Sequence, residues 1–510
     1  MKTHHPTSIA LRAAAPRSDE FAKSSGGCQT AGASRLTTAA TTGFLLLALA
    51  LSGLTSAQAA PAKLLVKGGT LLTIKPGDEE PYVGYLAIGA DGKITALGKG
   101  EPPADLAAAA TLDATGKIII PGFISAHSHI WQSAFRGLAP NEFVRNWVTI
   151  TRAQSNHGSA EDFYWFTLHG SLDHVRHGIT TAYNFTQGNK DPAYQQLQLK
   201  AELDSGIRIV HAWARSGGRG ATAGSPALSP VDVRKQLGDF LAWAGQYKDS
   251  PQILKFSISG SPNSLESVSL DAAMVKEFGL VNQTHYLEYP VDTAEQRAYF
   301  QNFLTAGALG PSLYFGHFIH TDDAMLEAVG KAGGGMSWNP LSNGRLASGL
   351  ADIPKYLRFG VKIGMGVDGQ ASADIADPFE NMRQGLYAIR ARYMSGTIMK
   401  PLDVLRFHTL GSATVMNIAD KVGSLEAGKY GDFLIINPAT VDRAPVYDPY
   451  ATLVFACNTM NLEGVYIGGD LVSSFCKLTK TDFGKVQAEV HQRVNAIKAK
   501  ASAVQLAINP

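Results

Sequence analysis

The sequence has few cysteines, no strong excess of either charge and no long apolar run. Only three of 510 residues are cysteine, and no CxxC pair or Cys/His cluster occurs, which excludes a cysteine-ligated zinc module. The formal net charge of +2 predicts no basic surface for nucleic acid. No GxGxxG motif follows a first strand, which disfavours a dinucleotide-binding open sheet.

The apolar run near the N-terminus, Phe44–Leu51, is too short to span a bilayer comfortably. Arg35 precedes it and Ala57-Gln58-Ala59 follows, a pattern typical of a secretory signal cleaved near Ala59. We therefore expect residues 1–60 to be a signal region, and the mature protein to be periplasmic or secreted and free of the membrane. An uncleaved membrane anchor is the alternative.

Export would remove Cys28 with the signal and leave two cysteines in the mature chain. An oxidising compartment favours a disulfide between Cys457 and Cys476. Two separate thiols are equally compatible with the sequence, so the pairing stays open.

Strand patterns occur at both ends of the mature chain. "AKLLVKGGTLLTI" and "GYLAIGADGKITALG" have the alternation and the Gly/Asp turns of paired strands, and "GDFLIINPAT" and "LEGVYIGGDLVSSF" repeat the pattern near the C-terminus. Gly468-Gly469-Asp470 predicts a tight turn. We expect residues 62–118 and 422–478 to form one small β-sandwich, followed by a solvated amphipathic helix in residues 479–510.

Residues 119–421 alternate short apolar strands with helices. The predicted strands are "KIIIPGFISAH", "GITTAYNF", "IRIVHAWAR", "ILKFSISG", "LVNQTHYLE", "LYFGHFIH", "GGGMSWNP" and "VKIGMGVDG". Helix starts are indicated by Ser159 with Asp162, by Asp191-Pro192, by Ser229-Pro230 and by Thr321 with two aspartates. Eight such units predict an α/β fold with a closed (β/α)8 TIM-type barrel, and an open doubly wound sheet is the rival.

Polar side chains stand at the ends of four of these strands. His127 and His129 end the first, His285 the fifth, His317 the sixth and Asp368 the eighth. The carboxyl ends of barrel strands converge on one mouth, and alternate residues of a strand share a face. Imidazoles and a carboxylate gathered there are a suitable ligand set for Zn²⁺ or Fe²⁺.

Glu288 comes three residues after His285, beside this predicted site. A carboxylate in that place can move protons between water and a leaving group. The other histidines of the barrel lie elsewhere in the pattern. His169, His174 and His177 are interpreted as packing or surface residues, His211 as structural, and His320 as a pocket residue.

These motifs resemble the amidohydrolase superfamily, in particular the branch of guanine, cytosine and S-adenosylhomocysteine deaminases and triazine chlorohydrolases. The resemblance rests on "PGFISAHSH", on the HxxE of His285 and Glu288, on "GHFIH" with His317, on "NPLSNGRLASG", on "GVDG" with Asp368 and on "GSLEAGKYGDFLIIN". It covers about residues 63–475 and indicates the branch better than the substrate.

The resemblance implies a role for each site residue. One divalent metal, with Zn²⁺ favoured over Fe²⁺, would be bound by His127, His129, His285 and Asp368. Glu288 would transfer protons, His317 would hydrogen-bond the attacking hydroxide or the substrate, and Asp368 would also accept the proton of the water. The expected substrate contacts are Trp131, Gln132, Arg136 and Asn343 of the "NPLSN" segment.

The function expected from this is metal-dependent hydrolysis of a carbon–nitrogen bond other than a peptide bond, most simply deamination of a small N-heterocycle. One alternative is a binuclear cyclic-amide or dipeptide hydrolase bridged by a carboxylated Lys255, which lies several residues before the end of the fourth strand. A second is an exported binding protein without activity. Homo-oligomer formation stays open.

Overall fold

The computed structural model describes residues 60–216, 228–439 and 445–508. The predicted signal sequence with its cleavage site near Ala59, and Cys28 within it, lie outside the described residues. Within the described ranges, no helix combines the length and apolar character that a bilayer crossing requires.

The described strands form two sheets. In chain order they are β1 (Leu64–Leu71), β2 (Tyr82–Ile88), β3 (Ile94–Lys99), β4 (Thr111–Asp113), β5 (Ile118–Pro121), β6 (Phe123–Ser125), β7 (Ile179–Phe185), β8 (Arg208–Trp213), β9 (Ile253–Gly260), β10 (Val281–Tyr286), β11 (Leu313–His317), β12 (Gly335–Trp338), β13 (Lys362–Met365), β14 (Phe433–Ile436), β15 (Leu462–Ile467), β16 (Asp470–Ser474) and β17 (Lys477–Leu478).

The helices follow the strands of the barrel and extend to the C-terminus. They are α1 (Val144–Ser155), α2 (Ala160–Arg176), α3 (Pro192–Ser205), α4 (Pro230–Ala244), α5 (Leu265–Phe278), α6 (Thr293–Ala298), α7 (Phe300–Thr305), α8 (Asp323–Lys331), α9 (Pro340–Arg345), α10 (Ile353–Arg358), α11 (Pro378–Tyr393), α12 (Pro401–Arg406), α13 (Ser412–Val415), α14 (Pro449–Ala451) and α15 (Phe483–Ile508). A 3₁₀ helix, Ile130–Phe135, directly follows β6 and His129.

Strands β6 to β13 form the predicted barrel. They pair in chain order, and every neighbouring pair is parallel. The last strand returns to the first, since the backbone N–H of Ala126 donates to the carbonyl of Met365 at 2.9 Å. The prediction of an α/β fold with a TIM-type barrel is confirmed.

The second sheet joins the two ends of the chain, as predicted. Its order is β17-β16-β15-β14-β5-β1-β2-β3, with β4 beside β1, and the antiparallel pair of β5 with β14 connects the N-terminal and C-terminal strands. The predicted turn between β15 and β16 is present. Gly468 and Gly469 have φ angles of +58° and +77°, a conformation that glycine adopts without strain.

The first predicted barrel strand is in fact two strands. Ile118–Pro121 belongs to the second sheet, and only Phe123–Ser125 belongs to the barrel. The chain changes sheets at Gly122, where a Cβ atom would lie 2.1 Å from the Oγ1 of Thr180 in β7. Glycine is therefore required where the two strands meet. The continuous apolar pattern of the sequence predicted one strand and did not show this change of sheet.

The predicted helix caps are present with one change. Ser159 and Asp162 form a capping box at α2, Asp191 caps α3, which ends at Gly206 in the left-handed region, and Ser229 caps α4. Helix α8 is capped by Asp322, whose carboxylate accepts from the N–H of Met325. Thr321 was expected to take part in that start, but its hydroxyl pairs with the hydroxyl of Tyr356 instead.

The C-terminal tail is helical, as predicted, but it is docked on one face rather than solvated all round. Val486, Val490 and Ile497 of α15 are buried, and Arg493 forms ion pairs with Glu161 and Asp162 at the start of α2. Helix α15 therefore packs beside the helices that follow the first barrel strand.

No disulfide joins Cys457 and Cys476 in the structure. Cys457 is buried in the main apolar core, and the thiol of Cys476 donates to the carbonyl of Thr459 at 3.1 Å. The structure thus contains the separate thiols of the open alternative.

Candidate metal centre

Five predicted side chains converge at the carboxyl ends of the barrel strands. His129 Nε2 lies 3.1 Å from His285 Nε2, and Asp368 Oδ1 lies 3.5 Å from His127 Nε2 and 3.7 Å from His129 Nε2. His317 Nε2 lies 3.8 Å from the other oxygen of Asp368. Residues from four separate strands therefore share one buried site.

The donor atoms at this site fit a divalent transition metal. His127, His129 and His285 each place a ligand atom within 4.8 Å of the others, and so do His127, His317 and Asp368. His127 Nε2 is buried and has no hydrogen-bond partner among the described residues, as expected of a nitrogen that faces a cation. Imidazole nitrogens with one carboxylate oxygen are typical ligands of zinc or iron(II).

Two hydrogen bonds orient the histidines of the HxH motif. His127 Nδ1 donates to the side-chain oxygen of Gln283, and His129 Nδ1 donates to the carbonyl of Phe185 at 3.0 Å. Each Nε2 is then left as a lone-pair donor toward the centre of the site. Burial lowers the pKa of His127, and burial together with the neighbouring His127 lowers the pKa of His129 to about 4. Both imidazoles are therefore neutral at pH 7, the form that binds metal.

Asp368 is held as a carboxylate by its surroundings. Ser342 donates to its Oδ2 at 2.5 Å, and the backbone N–H of Gly369 donates to its Oδ1 at 2.7 Å. Burial alone would raise the pKa of Asp368. The imidazoles of His127, His317 and His129 have the larger opposite effect and lower the pKa to about 2. The residue has a φ of +58°, a strained conformation for a non-glycine residue that is common at functional sites.

His317 is oriented by two amides. The side-chain nitrogens of Asn343 and Asn339 donate to its Nδ1 at 2.9 and 3.3 Å, so that Nε2 carries the proton of the neutral ring. Burial lowers the pKa of His317 to about 3. His317 has a φ of +69°, again in the left-handed region. The strain and the amides together present Nε2–H to the centre of the site.

Glu288 lies at the rim of the same cluster. Its Oε2 is 3.7 Å from His317 Nε2, and Ser348 approaches its other oxygen at 3.5 Å. Burial and then the charge of Asp368 raise the pKa of Glu288 well above its usual value, against the opposing hydrogen bond of Ser348. The position and the environment suit a proton carrier.

The four predicted substrate contacts occupy different places. Asn343 contacts His317, and the side-chain oxygen of Gln132 lies against Gly369, where an added Cβ would approach it to 2.0 Å. Trp131 instead stacks on Phe163 with ring centroids 4.9 Å apart, inside an aromatic cluster. Arg136 forms an ion pair with Asp173 of α2.

Five other histidines of the barrel, those assigned from the sequence to packing, structural or pocket roles, make their contacts outside the metal cluster. His169 stacks on Phe483, His174 bonds Ser128 and the carbonyl of Gly170, and His177 bonds the carbonyl of Asp173. His211 is fully buried beside Glu202. His320 bonds the carbonyl of Ser348, the residue whose hydroxyl approaches Glu288.

Lys255 lies far below the mouth of the barrel. In β9, Lys255 pairs with Val210 of β8, near the start of the strand. Gly260, at the end of β9, pairs with Thr284 of β10, the residue before His285. Lys255 lies five residues before Gly260 along β9, a distance of about 16 Å along the strand from the height of His285.

Comparisons with known proteins agree with this geometry. The model of the amidohydrolase family matches residues 118–240 and 269–472. A 5-methylthioadenosine/S-adenosylhomocysteine deaminase from Syntrophobacter fumaroxidans is 28% identical over 451 residues, which are 86% of this chain and 99% of that protein. A 5′-deoxyadenosine deaminase from Methanosarcina barkeri is 24% identical over 452 residues, 87% of this chain and all of that protein.

Solved structures share the fold. An adenosine deaminase from Xanthomonas campestris with bound zinc superposes with a TM-score of 0.75 at 21% identity, covering 86% of this chain and 99% of that one. Atrazine chlorohydrolase from Arthrobacter aurescens, complexed with zinc, superposes with a TM-score of 0.75 at 22% identity, covering 84% and 100%. The chain therefore belongs to the amidohydrolase family and is a metal-dependent hydrolase of carbon–nitrogen bonds.

Proposed function

We propose that the protein deaminates a nucleoside-like N-heterocycle by adding water to the carbon that bears the amino group. The observation that carries the proposal is the convergence of the four ligands with Glu288 and His317 at one barrel mouth. The relatives named as deaminases of adenosine derivatives support this substrate class.

One divalent cation, with Zn²⁺ favoured, would be held by His127, His129, His285 and Asp368. A cation held there would lower the pKa of bound water to about 7 and so supply a nucleophile at neutral pH.

The protein's own groups handle the protons and the developing charge. Asp368 accepts the proton of the attacking water. His317 donates through Nε2 to the oxygen that becomes attached to the substrate carbon. Glu288 gives one proton to the ring nitrogen or the leaving nitrogen, and Asp368 passes the proton of the water to the other. The carbon–nitrogen bond breaks, ammonia departs, and the proton of the new hydroxyl group restores Glu288 as the carbonyl forms. The ring of Phe185 packs against His285 with centroids 4.4 Å apart and gives the site an apolar side.

Two observations bear on the alternative functions. The distance of Lys255 from the level of His285 supports a mononuclear site over one bridged by a carboxylated lysine. The presence of the whole ligand set, with His127 Nε2 left for a cation, supports an enzyme over a binding protein.

The test combines elemental analysis with a screen for ammonia release. Purified protein is assayed against adenosine derivatives, guanine, cytosine, pterins and triazines. We expect about one zinc or iron ion per chain and ammonia from a heterocyclic amine. Two metals with cleavage of a cyclic amide would support the binuclear alternative, and ligand binding without metal or turnover would support the binding protein.

We also propose that residues 1–60 direct export, that the mature protein acts on a small molecule in the periplasm or outside the cell, and that it can assemble as a homo-oligomer. The sequence pattern before Ala59 supports the first part. Mass spectrometry of the protein from the periplasmic fraction should give a mature chain that starts near Ala60. A full-length chain in the membrane fraction would contradict export with cleavage.

A further inference from the structure

A second buried charged cluster lies behind the HxH motif, between helix α3 and strands β7 and β8. Glu202 of α3 and His211 of β8 are both fully buried. His211 Nδ1 donates to the two carboxylate oxygens of Glu202 at 2.8 and 3.1 Å. A carboxylate in such a place costs several kcal/mol unless it is fully hydrogen-bonded, so its presence needs a reason beyond packing.

The cluster reaches the metal site through Asn184, which is also fully buried. The side-chain nitrogen of Asn184 donates to Glu202 Oε1 at 2.5 Å. Its side-chain oxygen accepts from the backbone N–H of Ile130 at 3.1 Å. Ile130 directly follows the metal ligand His129 and begins the 3₁₀ helix that carries Gln132.

The carboxylate determines which way the amide points. Both oxygens of Glu202 accept from His211 and Oε1 also accepts from Asn184, so Asn184 turns its NH₂ group toward Glu202. Its oxygen is then the atom that faces Ile130. Without Glu202 the amide could rotate and present two donors to a backbone donor, which would break the contact.

The adjoining residue holds the same segment. The backbone N–H of Phe185 donates to the carbonyl of Ser128 at 2.7 Å, and the carbonyl of Phe185 accepts from His129 Nδ1. The end of β7 therefore hydrogen-bonds three consecutive residues of the ligand segment, Ser128 to Ile130. Two of these bonds come from the backbone of Phe185, and the third comes from the side chain of Asn184.

We propose that Glu202 and Asn184 are positioning residues that set His129 in its metal-binding orientation through Ile130. The proposal rests on the metal site of the proposed function. Neither side chain is assigned a contact with substrate or metal. Their effect should therefore appear in metal affinity rather than in folding alone.

The test measures zinc affinity by chelator competition in Asn184→Ala, Glu202→Met and the double variant. Each single variant should bind zinc about 10- to 100-fold more weakly than the wild type. Because both act through one chain of hydrogen bonds, the double variant should lose little more than either single variant. Titrations are made at a temperature at which circular dichroism shows each variant folded.

The matched control is Asp271→Asn. Asp271 is another buried carboxylate on an outer helix, where it pairs with Arg215 and accepts from the N–H of Ser261, in the segment after β9 and not in the ligand segment. The zinc affinity of the Asp271→Asn variant should stay within about twofold of the wild type, although the melting temperature of the variant falls. An equal loss of affinity in this control would show a general effect of destabilisation and overturn the proposal.

Normal zinc affinity in Asn184→Ala would overturn the proposal by itself, so the result does not depend on whether Glu202→Met folds. Failure of the proposed function has a different signature, because the wild-type protein itself would then bind no zinc or release no ammonia.

Discussion

The two ends of the barrel both bury charged side chains, but they use them in opposite ways. At the amino-terminal end, Arg208 bonds both oxygens of Asp432 at 2.6 and 2.9 Å and the carbonyl of Pro251 at 2.6 Å. Its guanidinium also lies 3.7 Å from the centre of the Tyr430 ring, and the backbone of Gly468 donates to Asp432. At the carboxyl end, His127 Nε2 is buried without a partner among the described residues.

The difference separates a structural ion pair from a binding site. The hydrogen bonds of the Arg208–Asp432 pair are made to each other and to nearby protein groups. The pair connects the barrel to the second sheet. The cluster at the mouth directs its hydrogen-bond partners outward from the centre and leaves ligand atoms facing inward. Burial of charge alone therefore does not identify the functional end; the convergence of several ligand atoms on one point does.

The largest expected effect is on catalysis at the mouth. Glu288→Gln should lower kcat by about 10²- to 10⁴-fold because the amide cannot carry the proton, while the zinc content stays unchanged. Steady-state kinetics with elemental analysis measures both quantities. The control at the opposite end is Asp432→Asn, which should keep kcat per folded molecule. A near-normal rate in Glu288→Gln would remove this residue from the mechanism.

The next effect is on stability at the amino-terminal end. Arg208→Met leaves the buried carboxylate of Asp432 without its cation and should lower the free energy of unfolding by about 3–5 kcal/mol. Urea unfolding measures the loss, and the zinc content of the folded variant should equal that of the wild type. Loss of zinc at unchanged stability would mean that the two ends are not separate in function.

A smaller effect concerns a buried histidine that is satisfied, unlike His127. His408 Nδ1 donates to the carbonyl of Ile124, and its Nε2 accepts from the side chain of Asn381. Burial lowers the pKa of His408 to about 4, although its backbone hydrogen bonds oppose the shift. The neutral ring therefore contributes stability above pH 6.5, and this contribution is lost as the pH falls through 4.

His408→Gln should remove this contribution to the pH dependence. Between pH 6.5 and 4 the free energy of unfolding of the wild type should fall by up to about 3 kcal/mol more than that of the variant. Urea titrations across this range measure both slopes. Parallel curves for the two proteins would contradict the assignment of a neutral buried His408.

The sequence predicts which side chains converge at the mouth because the signal is local. Each ligand stands at the end of an apolar strand, and parallel strands of a barrel bring such ends together. Gln283 was missed, although a signal exists: it lies two residues before His285 on the same strand and therefore on the same face. Ser342 and Asn339, which orient Asp368 and His317, lie in a motif that was recognised without their individual roles.

Other features depend on packing that the sequence pattern does not encode. Arg136 follows the HxH motif closely, yet it pairs with Asp173 because α2 returns beside the 3₁₀ helix. The change of sheet at Gly122 depends on contact with Thr180, which lies 58 positions later in the chain. The sequence analysis assigned no role to Glu202, because its burial depends on the packing of α3 against Asn184 of β7 and His211 of β8.

The most direct test of the account is the metal stoichiometry of the wild-type protein beside that of Asp368→Ala, by elemental analysis after removal of loosely bound ions. The account predicts about one zinc or iron ion per chain in the wild type and a strongly reduced content, with loss of turnover, in the variant. Wild-type protein without metal, or a variant that keeps both full metal content and full activity, would contradict it.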